Sequence, residues 1–260
     1  SSMMSAWKKS YNANIVIYFD APNAAPELYT FRFKGKEVEK QVLKTYEEMD
    51  SADPEVLKKI LNEMQDLYPS DSYGLILGSH ASGWIPSGAS GRSNRMLHAE
   101  PVLTRSFGTD YTGSNEMDTR DMAKAIPFNK ENLEFILFDA CLMSSIEVLY
   151  DLREKAKYVI ASPAELPAPG FPYARVMPYF WGKGKDLEKD LVKVCDEFWD
   201  YYNTYNATNR FGTIALIKME GMEHLFDLTR EKKRWLRIGE KMMFGVILKW
   251  SIRSTICFLI

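Results

Sequence analysis

Five short apolar runs divide the chain, and each predicts a β-strand. Few polar residues interrupt them, which is typical of strands covered on both faces in a parallel sheet. The runs lie at residues 14–20 (NIVIYFD), 73–78 (YGLILG), 134–139 (EFILFD), 158–162 (YVIAS) and 211–217. A different pattern, in which apolar and polar residues alternate over residues 29–33 before a Lys-Gly-Lys turn, predicts a hairpin.

Helical spacing of apolar residues fills the intervals between these runs. Asp53 and Pro54 provide a cap and a first turn for a helix whose apolar positions recur up to residue 67. Similar spacing predicts helices at about 144–155 and at 187–202. Strands that alternate with helices predict a mostly parallel α/β sheet with helices on both faces. Such sheets bind ligands at the carboxyl ends of their strands.

Composition narrows the class of protein. The chain has 260 residues, of which 46% are hydrophobic and 26% charged, and these values exclude a disordered chain or a fibre. Three cysteines without a CxxC pair give neither a disulfide framework nor a typical metal site. The last 31 residues carry a net charge of +6 and the rest −8, and an acidic body disfavours nucleic acid as a partner. Residues 1–12 do not resemble a signal peptide, and no apolar run is long enough to span a membrane.

His80 and Cys141 each follow a predicted buried strand by one or two residues. If the two strands are parallel neighbours, the side chains meet at one edge of the sheet, where a thiolate can attack a carbonyl and an imidazole can relay the proton. The helix predicted after Cys141 should favour the thiolate. The alternative is that Cys141 is a small buried residue that fills space.

Asp139 lies two residues before Cys141 and therefore on the same face of its strand. A carboxylate at the floor of a pocket there would select a cationic Arg or Lys side chain. An equally weighted alternative is that Asp139 caps the next helix or orients a loop.

Three ordered blocks of sequence carry a resemblance to a known family. They are residues 73–84 (YGLILGSHASGW), 135–147 (FILFDACLMSSIE) and 158–173 (YVIASPAELPAPGFPY). They resemble the clostripain-family cysteine peptidases over roughly residues 11–219. The resemblance implies a caspase-like α/β/α sandwich with a mostly parallel central sheet. It also implies a Cys141–His80 dyad that cleaves after Arg, or after Arg and Lys, through an acyl-enzyme.

The same resemblance assigns roles around the dyad. Asp139 matches the acidic residue that receives the basic side chain of a peptide substrate. The proline-rich loop 162–173 forms a wall of the cleft, so Ser162 is a candidate contact and Glu165 a candidate second negative charge. Gly83 and Cys141 are candidate oxyanion donors, and Trp84 is a candidate lining residue. The alternatives are a plain turn glycine for Gly83, a solvated Glu165, and a Trp84 that packs under the loop.

Further expectations come from the family rather than from the residues. Self-processing is expected in the loop at 81–115, where Arg92, Arg95 and Arg105 are candidate cut sites. No cofactor is needed for the chemistry. Family members can require calcium, but scattered residues such as Asp110 and Asp118 define no site, so the metal ligands are unknown. The family also suggests a secreted or surface-attached bacterial protein.

Two regions depart from the family pattern. Family members generally carry another strand and helix before the segment that matches residues 14–20, so we expect the sheet of a peptidase domain at 1–225 to lack a strand. Residues 226–260 form an atypical basic and apolar tail. The tail fits either a helix on a membrane surface, which is the less favoured interpretation, or an aberrant end from a shifted reading frame.

Two other functions compete with the peptidase. One is an inactive, truncated caspase-like scaffold that binds peptides or partner proteins without cleaving them. The other is a flavodoxin-like module that binds a phosphate-bearing ligand, although the sequence lacks a glycine-rich phosphate loop.

Overall fold

Nine strands and seven α-helices form an α/β arrangement in the residues that the computed structural model describes, which are 2–8, 13–83, 107–109, 116–167, 169–181, 186–204 and 211–238. The strands group into a three-stranded sheet, a four-stranded sheet and a small two-stranded one. The loop arginines at 92, 95 and 105, Trp84, Asp110 and residues 239–260 lie outside this part of the chain.

The three-stranded sheet contains the predicted hairpin. Strands β1 (Val16–Ala21), β2 (Ala24–Lys34) and β3 (Glu37–Thr45) pair antiparallel in that order. The run at 14–20 is therefore a strand, but it pairs with a hairpin neighbour instead of a parallel one. The expectation that both of its faces are buried is wrong, because β1 is only half-buried and Phe19 is 55% exposed.

The four-stranded sheet holds the remaining apolar runs in the order β4-β7-β8-β9. The β4–β7 and β7–β8 pairs are parallel and the β8–β9 pair is antiparallel, so the prediction of a mostly parallel sheet is confirmed. The strands are β4 (Tyr73–Gly78), β7 (Leu133–Asp139), β8 (Tyr158–Ala161) and β9 (Ala215–Lys218). Strands β5 (Phe107–Thr109) and β6 (Glu116–Met117) form the small sheet.

Helices cover both faces of the four-stranded sheet. One face packs against α2 (Pro54–Leu67), α3 (Thr119–Ala125), α4 (Ile146–Asp151) and the start of α7 (Met222–Ile238). The other packs against α5 (Tyr173–Val176) and α6 (Leu187–Thr204). Helix α1 (Ser2–Ala6) packs beside the hairpin sheet. This is the expected α/β/α sandwich.

Strand β7 lies at the centre because it is apolar on both faces. Phe135 and Leu137 contribute to the core under α6, whereas Ile136 and Phe138 contribute to the core under α3 and α4. Alternate side chains of a strand point to opposite faces, so a near-continuous apolar run suits a strand with helices on both sides. Strand β7 fixes the position of the residues that follow it.

Local sequence signals account for the helix ends. The Asp53 side chain accepts a hydrogen bond from the backbone N–H of Glu55 at 2.8 Å, with Pro54 as the first residue of α2, as predicted. None of the described helices combines the length and the apolar character that crossing a membrane requires.

Candidate active site

His80 and Cys141 follow paired strands at the same edge of the sheet. Strands β4 and β7 are parallel, with Gly78 opposite Asp139, and His80 and Cys141 each lie two residues beyond those positions. Both line a cleft of about 1550 Å³ that Asp139 also lines. His80 is exposed and Cys141 is partly buried. The tertiary structure thus brings together the three residues that the sequence singled out.

A close contact joins the loops that carry His80 and Cys141. Gly83 has φ of +84°, and a Cβ atom built on it would lie 2.9 Å from the carbonyl oxygen of Leu142. Leu142 has φ of 62°, and of the described non-glycine residues it alone adopts positive φ. The turn after Cys141 therefore leaves no room for a side chain at Gly83 in the loop after His80.

The loop after β8 supplies the other side of the Cys141 turn. The backbone N–H of Leu166 donates to Sγ of Cys141 at 3.3 Å. The N–H of Leu142 donates to the carbonyl of Ala164 at 3.0 Å, and the N–H of Ser144 donates to that of Ser162 at 3.2 Å. These bonds hold the sulfur against the wall that the proline-rich loop provides.

The helix after Cys141 begins later in the chain than predicted. It begins at Ile146, and the Ser145 side chain caps it by accepting the N–H of Val148. Residues 140–144 form turns instead of a helical start. The effect of this helix on the thiolate stays a prediction. The Leu166 N–H is a backbone donor to this sulfur.

Asp139 is held by the proline-rich loop. Its Oδ2 accepts hydrogen bonds from the Tyr173 hydroxyl at 2.8 Å and from the Phe171 N–H at 3.3 Å. Burial raises the pKa of Asp139 above its usual value, and these two hydrogen bonds oppose the rise. The pKa of Tyr173 is also raised, first by burial and then by the neighbouring Asp139 charge. Asp139 therefore makes the contacts with a loop that the alternative interpretation predicted.

Gly170 leaves room for the Asp139 carboxylate. Its φ is +67°, and an added Cβ atom would lie 2.8 Å from both carboxylate oxygens. The Tyr202 hydroxyl, on α6, donates to the Gly170 carbonyl at 2.7 Å and fixes this backbone over the carboxylate. The backbone at Gly170 thus lies directly against the Asp139 carboxylate.

Two other candidate site residues, Ser162 and Glu165, are not among the residues that line the cleft. Ser162 is fully buried, and its hydroxyl bonds with the Ala164 backbone and the Thr213 hydroxyl, so it shapes the loop and does not reach the cleft. Glu165 is exposed and is not among the described residues that line the cleft. Its role in binding, and that of Gly83, stay predictions. The described residues include no group of three His, Cys, Asp or Glu side chains that could hold a metal, and a calcium requirement also stays a prediction.

The sequence reasoning missed Leu166, Gly170 and Tyr173. Each lies in a proline-rich loop whose path no periodicity predicts. The available signal was the loop itself, since a segment with four prolines directly after a buried strand has a fixed shape. Which backbone N–H or hydroxyl it presents to Asp139 and Cys141 depends on the folded path.

The fold and the strand-end position of this cleft are those of the caspase-like peptidases. The model of the clostripain family, peptidase family C11, matches residues 1–236, and the chain belongs to this family of cysteine peptidases. Clostripain of Hathewaya histolytica is 31% identical in an alignment of 153 residues that covers 56% of this chain and 28% of that protein.

Solved structures give the same result. An inactive zymogen C11 protease from Parabacteroides distasonis is 33% identical, with a TM-score of 0.69 over 88% of this chain and 59% of that one. A secreted C11 cysteine protease from Bacteroides thetaiotaomicron is 29% identical, with a TM-score of 0.74 over 90% of this chain and 64% of that one. A structure of a secreted C11 protease from the same organism with an irreversible peptide inhibitor is 28% identical, with a TM-score of 0.71. The chain spans less than two thirds of the length of these relatives.

Proposed function

We propose that this protein is a cysteine endopeptidase that cleaves peptide bonds after Arg, or after Arg and Lys, with Cys141 as nucleophile and His80 as proton donor and acceptor. One observation carries the proposal. His80, Asp139 and Cys141 line one cleft at the carboxyl ends of the adjacent parallel strands β4 and β7.

The reaction is an acyl transfer in two steps. The Cys141 thiolate attacks the carbonyl carbon, the C–N bond breaks, and His80 gives a proton to the departing amine. Water, deprotonated by His80, then attacks the thioester and releases the acid and the thiol. The Leu166 N–H that points at Sγ supports this role, because a donor stabilises negative charge on sulfur. Backbone N–H groups at Gly83 and Cys141 are the proposed oxyanion donors.

Asp139 supports the preference for a basic side chain. Its carboxylate is buried beside Gly170 and Tyr173, where a bound guanidinium or ammonium would neutralise a charge that burial otherwise disfavours. The relatives add support, since one is clostripain and another was solved with a peptide inhibitor. The secreted relative also supports the proposal that this protein acts outside the cell.

The alternative is an inactive scaffold that binds peptides. One observation favours it, because β1 and β4 are only half-buried although their sequences are apolar. Peptide turnover separates the two functions.

The decisive experiment compares fluorogenic peptides that differ only in the residue before the cleaved bond, with Arg, Lys, Asp or Leu there. We expect turnover after Arg or Lys, and a loss of at least about 100-fold in Cys141→Ala, since the covalent route is removed. Cys195→Ala is the matched control, because that thiol lies on α6 and is buried in the core. Turnover after Asp would contradict the proposed pocket. A folded protein without turnover, and without labelling of Cys141 by a basic acyloxymethyl ketone, would favour the scaffold.

A further inference from the structure

Leu142, the residue after Cys141, is unfavourable at its place in the fold in two respects. Its φ of 62° lies in the left-handed region, where a Cβ atom is disfavoured and which asparagine and glycine adopt more readily. Its apolar side chain is 36% exposed, although the next residue, Met143, is fully buried. Glycine at this position would avoid both the backbone strain and the exposed apolar surface. Folding alone therefore does not explain a leucine here.

Backbone contacts hold Leu142 in a fixed position beside Cys141. Its N–H donates to the carbonyl oxygen of Ala164 at 3.0 Å. A Cβ atom built on Gly83 would lie 2.9 Å from the Leu142 carbonyl oxygen and 3.4 Å from the Leu142 Cβ atom. The residue is thus held between the loop after β8 and the loop after His80. A side chain that starts from a fixed backbone loses less freedom when a ligand binds to it.

The surroundings of Leu142 differ from those of Asp139. Asp139 lines the cleft together with Tyr173, whereas Leu142 is not among the residues that line it. Under the proposed function, the side chain before the cleaved bond lies at Asp139, and His80 gives a proton to the amine that departs. The residue after the bond therefore leaves on the side of His80. Leu142 lies against the loop that follows His80, at Gly83.

We infer that Leu142 contacts the substrate residue that follows the cleaved bond, and that the protein prefers an apolar residue there. The inference rests on the proposed function. An exposed apolar side chain gains free energy when an apolar partner removes it from water. Ile146, the first residue of α4, is 48% exposed and adds apolar surface to the same segment of the chain. This preference is separate from the preference for a basic residue before the bond.

The same contact should affect the second step of the reaction. When an added amine replaces water, its nitrogen attacks the carbonyl carbon of the thioester, and His80 takes the proton that the nitrogen loses. The C–S bond then breaks, Cys141 leaves as the thiolate, and a new peptide bond forms. The added amine occupies the position of the residue after the bond. Leucinamide should therefore capture the acyl-enzyme more efficiently than asparaginamide, whose side chain has nearly the same shape but is polar.

The test uses quenched fluorescent peptides with Arg before the cleaved bond and Leu, Asn or Lys after it. Because leucine and asparagine side chains are similar in shape, their comparison isolates polarity. We expect kcat/KM to be about tenfold higher with Leu than with Asn, since apolar surface is buried on both partners. With an arginine ester as the acyl donor, capture of the acyl-enzyme should favour leucinamide over asparaginamide by a similar factor.

Two variants locate the preference at Leu142. Leu142→Asn introduces a residue that accepts the left-handed backbone, and it should abolish the preference for the Leu peptide over the Asn peptide. Leu142→Asp should create a preference for the Lys peptide, because the new carboxylate attracts the ammonium. A ratio of kcat/KM values measured within one variant cancels any change in the reactivity of Cys141.

Leu67→Asn is the matched control for the loss of an exposed leucine. Leu67 is the last residue of α2, is 48% exposed and is not among the residues that line the cleft. The variant should keep the ratio that the wild-type protein shows. Circular dichroism checks that the variants fold, and the two ratios of the wild-type protein test the inference even where a variant does not.

Three results would overturn the inference and leave the proposed function in place, since the peptides are still cleaved after Arg. The first is equal turnover of the Leu and Asn peptides, and the second is a preference for Leu that persists in folded Leu142→Asn. The third is a preference of the wild-type protein for the Lys peptide, which would assign the position to a negative charge such as the exposed Glu165. Absence of turnover with every Arg peptide and with the ester would contradict the proposed function, and this inference with it.

Discussion

At the scale of single residues, the Tyr173 hydroxyl controls how readily Asp139 ionises. Burial raises the pKa of Asp139, and the hydrogen bond from Tyr173 is the larger of the two contacts that oppose this rise. Under the proposed function, a cationic side chain binds only the ionised carboxylate. Hence kcat/KM for an Arg substrate should increase as pH rises through the pKa of Asp139.

Replacing Tyr173 by Phe should therefore move the acidic limb of the kcat/KM profile to higher pH. The variant loses a hydrogen bond that favours the ionised form, so the pKa of Asp139 rises further. The pH profile with an Arg peptide measures the shift. Tyr179→Phe is the control, because its hydroxyl donates to Glu197 away from the cleft. A limb that stays in place or moves to lower pH would contradict this role.

Gly83 is a second residue at which a single close contact, with the Leu142 carbonyl, excludes a side chain. Gly83→Ala should reduce the free energy of unfolding by more than the roughly 1–2 kcal/mol of left-handed strain, since the new methyl group also meets the Leu142 carbonyl. Gly35→Ala is the matched control, with φ of +65° and nothing within 4 Å of the new atom. Urea unfolding compares the two. Equal losses would show that the contact between the two loops has no energetic weight.

At the scale of elements, Gly74 of β4 lies opposite Phe135 of β7, where no side chain fits. A Cβ atom on Gly74 would overlap the Phe135 ring, which is buried and stacks on Phe180. The start of β4 is therefore fixed by the ring of the neighbouring strand. Because His80 follows the other end of β4, this packing also aligns the candidate active site.

Gly74→Ala should thus destabilise the protein by about 1–3 kcal/mol, which is typical of overpacking in a core. Gly78→Ala, on the same strand, is the control, because its nearest contact would be the Asp139 Cβ atom at an ordinary 3.8 Å. Thermal unfolding of both variants measures the difference. A loss in Gly78→Ala as large as in Gly74→Ala would contradict the explanation.

At the scale of the whole molecule, no strand pairing joins the two large sheets within the described residues, and α2 packs against both of them. Strands β7 and β8 have neighbours on both sides and helices on both faces, whereas the hairpin sheet is half-exposed. Local opening is easiest where few apolar contacts oppose it.

Native-state hydrogen exchange should therefore show two levels of protection. Amides of β7 and β8 should exchange slowest, through global unfolding, and amides of β1 to β3 should exchange faster, through opening of the hairpin sheet. Mass spectrometry of peptic fragments measures this directly. Equal opening free energies in both sheets would show that they unfold as one unit although no strand of the described residues joins them.

Much of the fold could be predicted from the sequence because its signals are local. Apolar runs marked all four strands of the mostly parallel sheet, although the last strand lies at Ala215–Lys218 and not at 211–217. A cap and a proline marked the start of α2. Residue types and their positions after strands also selected His80, Asp139 and Cys141, since parallel strands end at one edge.

Other features depended on segments that are distant in the chain. Only the folded path of the loop after β8 sets the Leu166 N–H against Cys141 and the Tyr173 hydroxyl against Asp139, and proline content does not encode that path. The arrangement of β1 and β4 also depends on the folded structure. The sequence determined that β1 and β4 are strands, because both are continuous apolar runs. The tertiary structure alone decided that they face each other across a groove, because burial depends on which neighbours are present as well as on residue type.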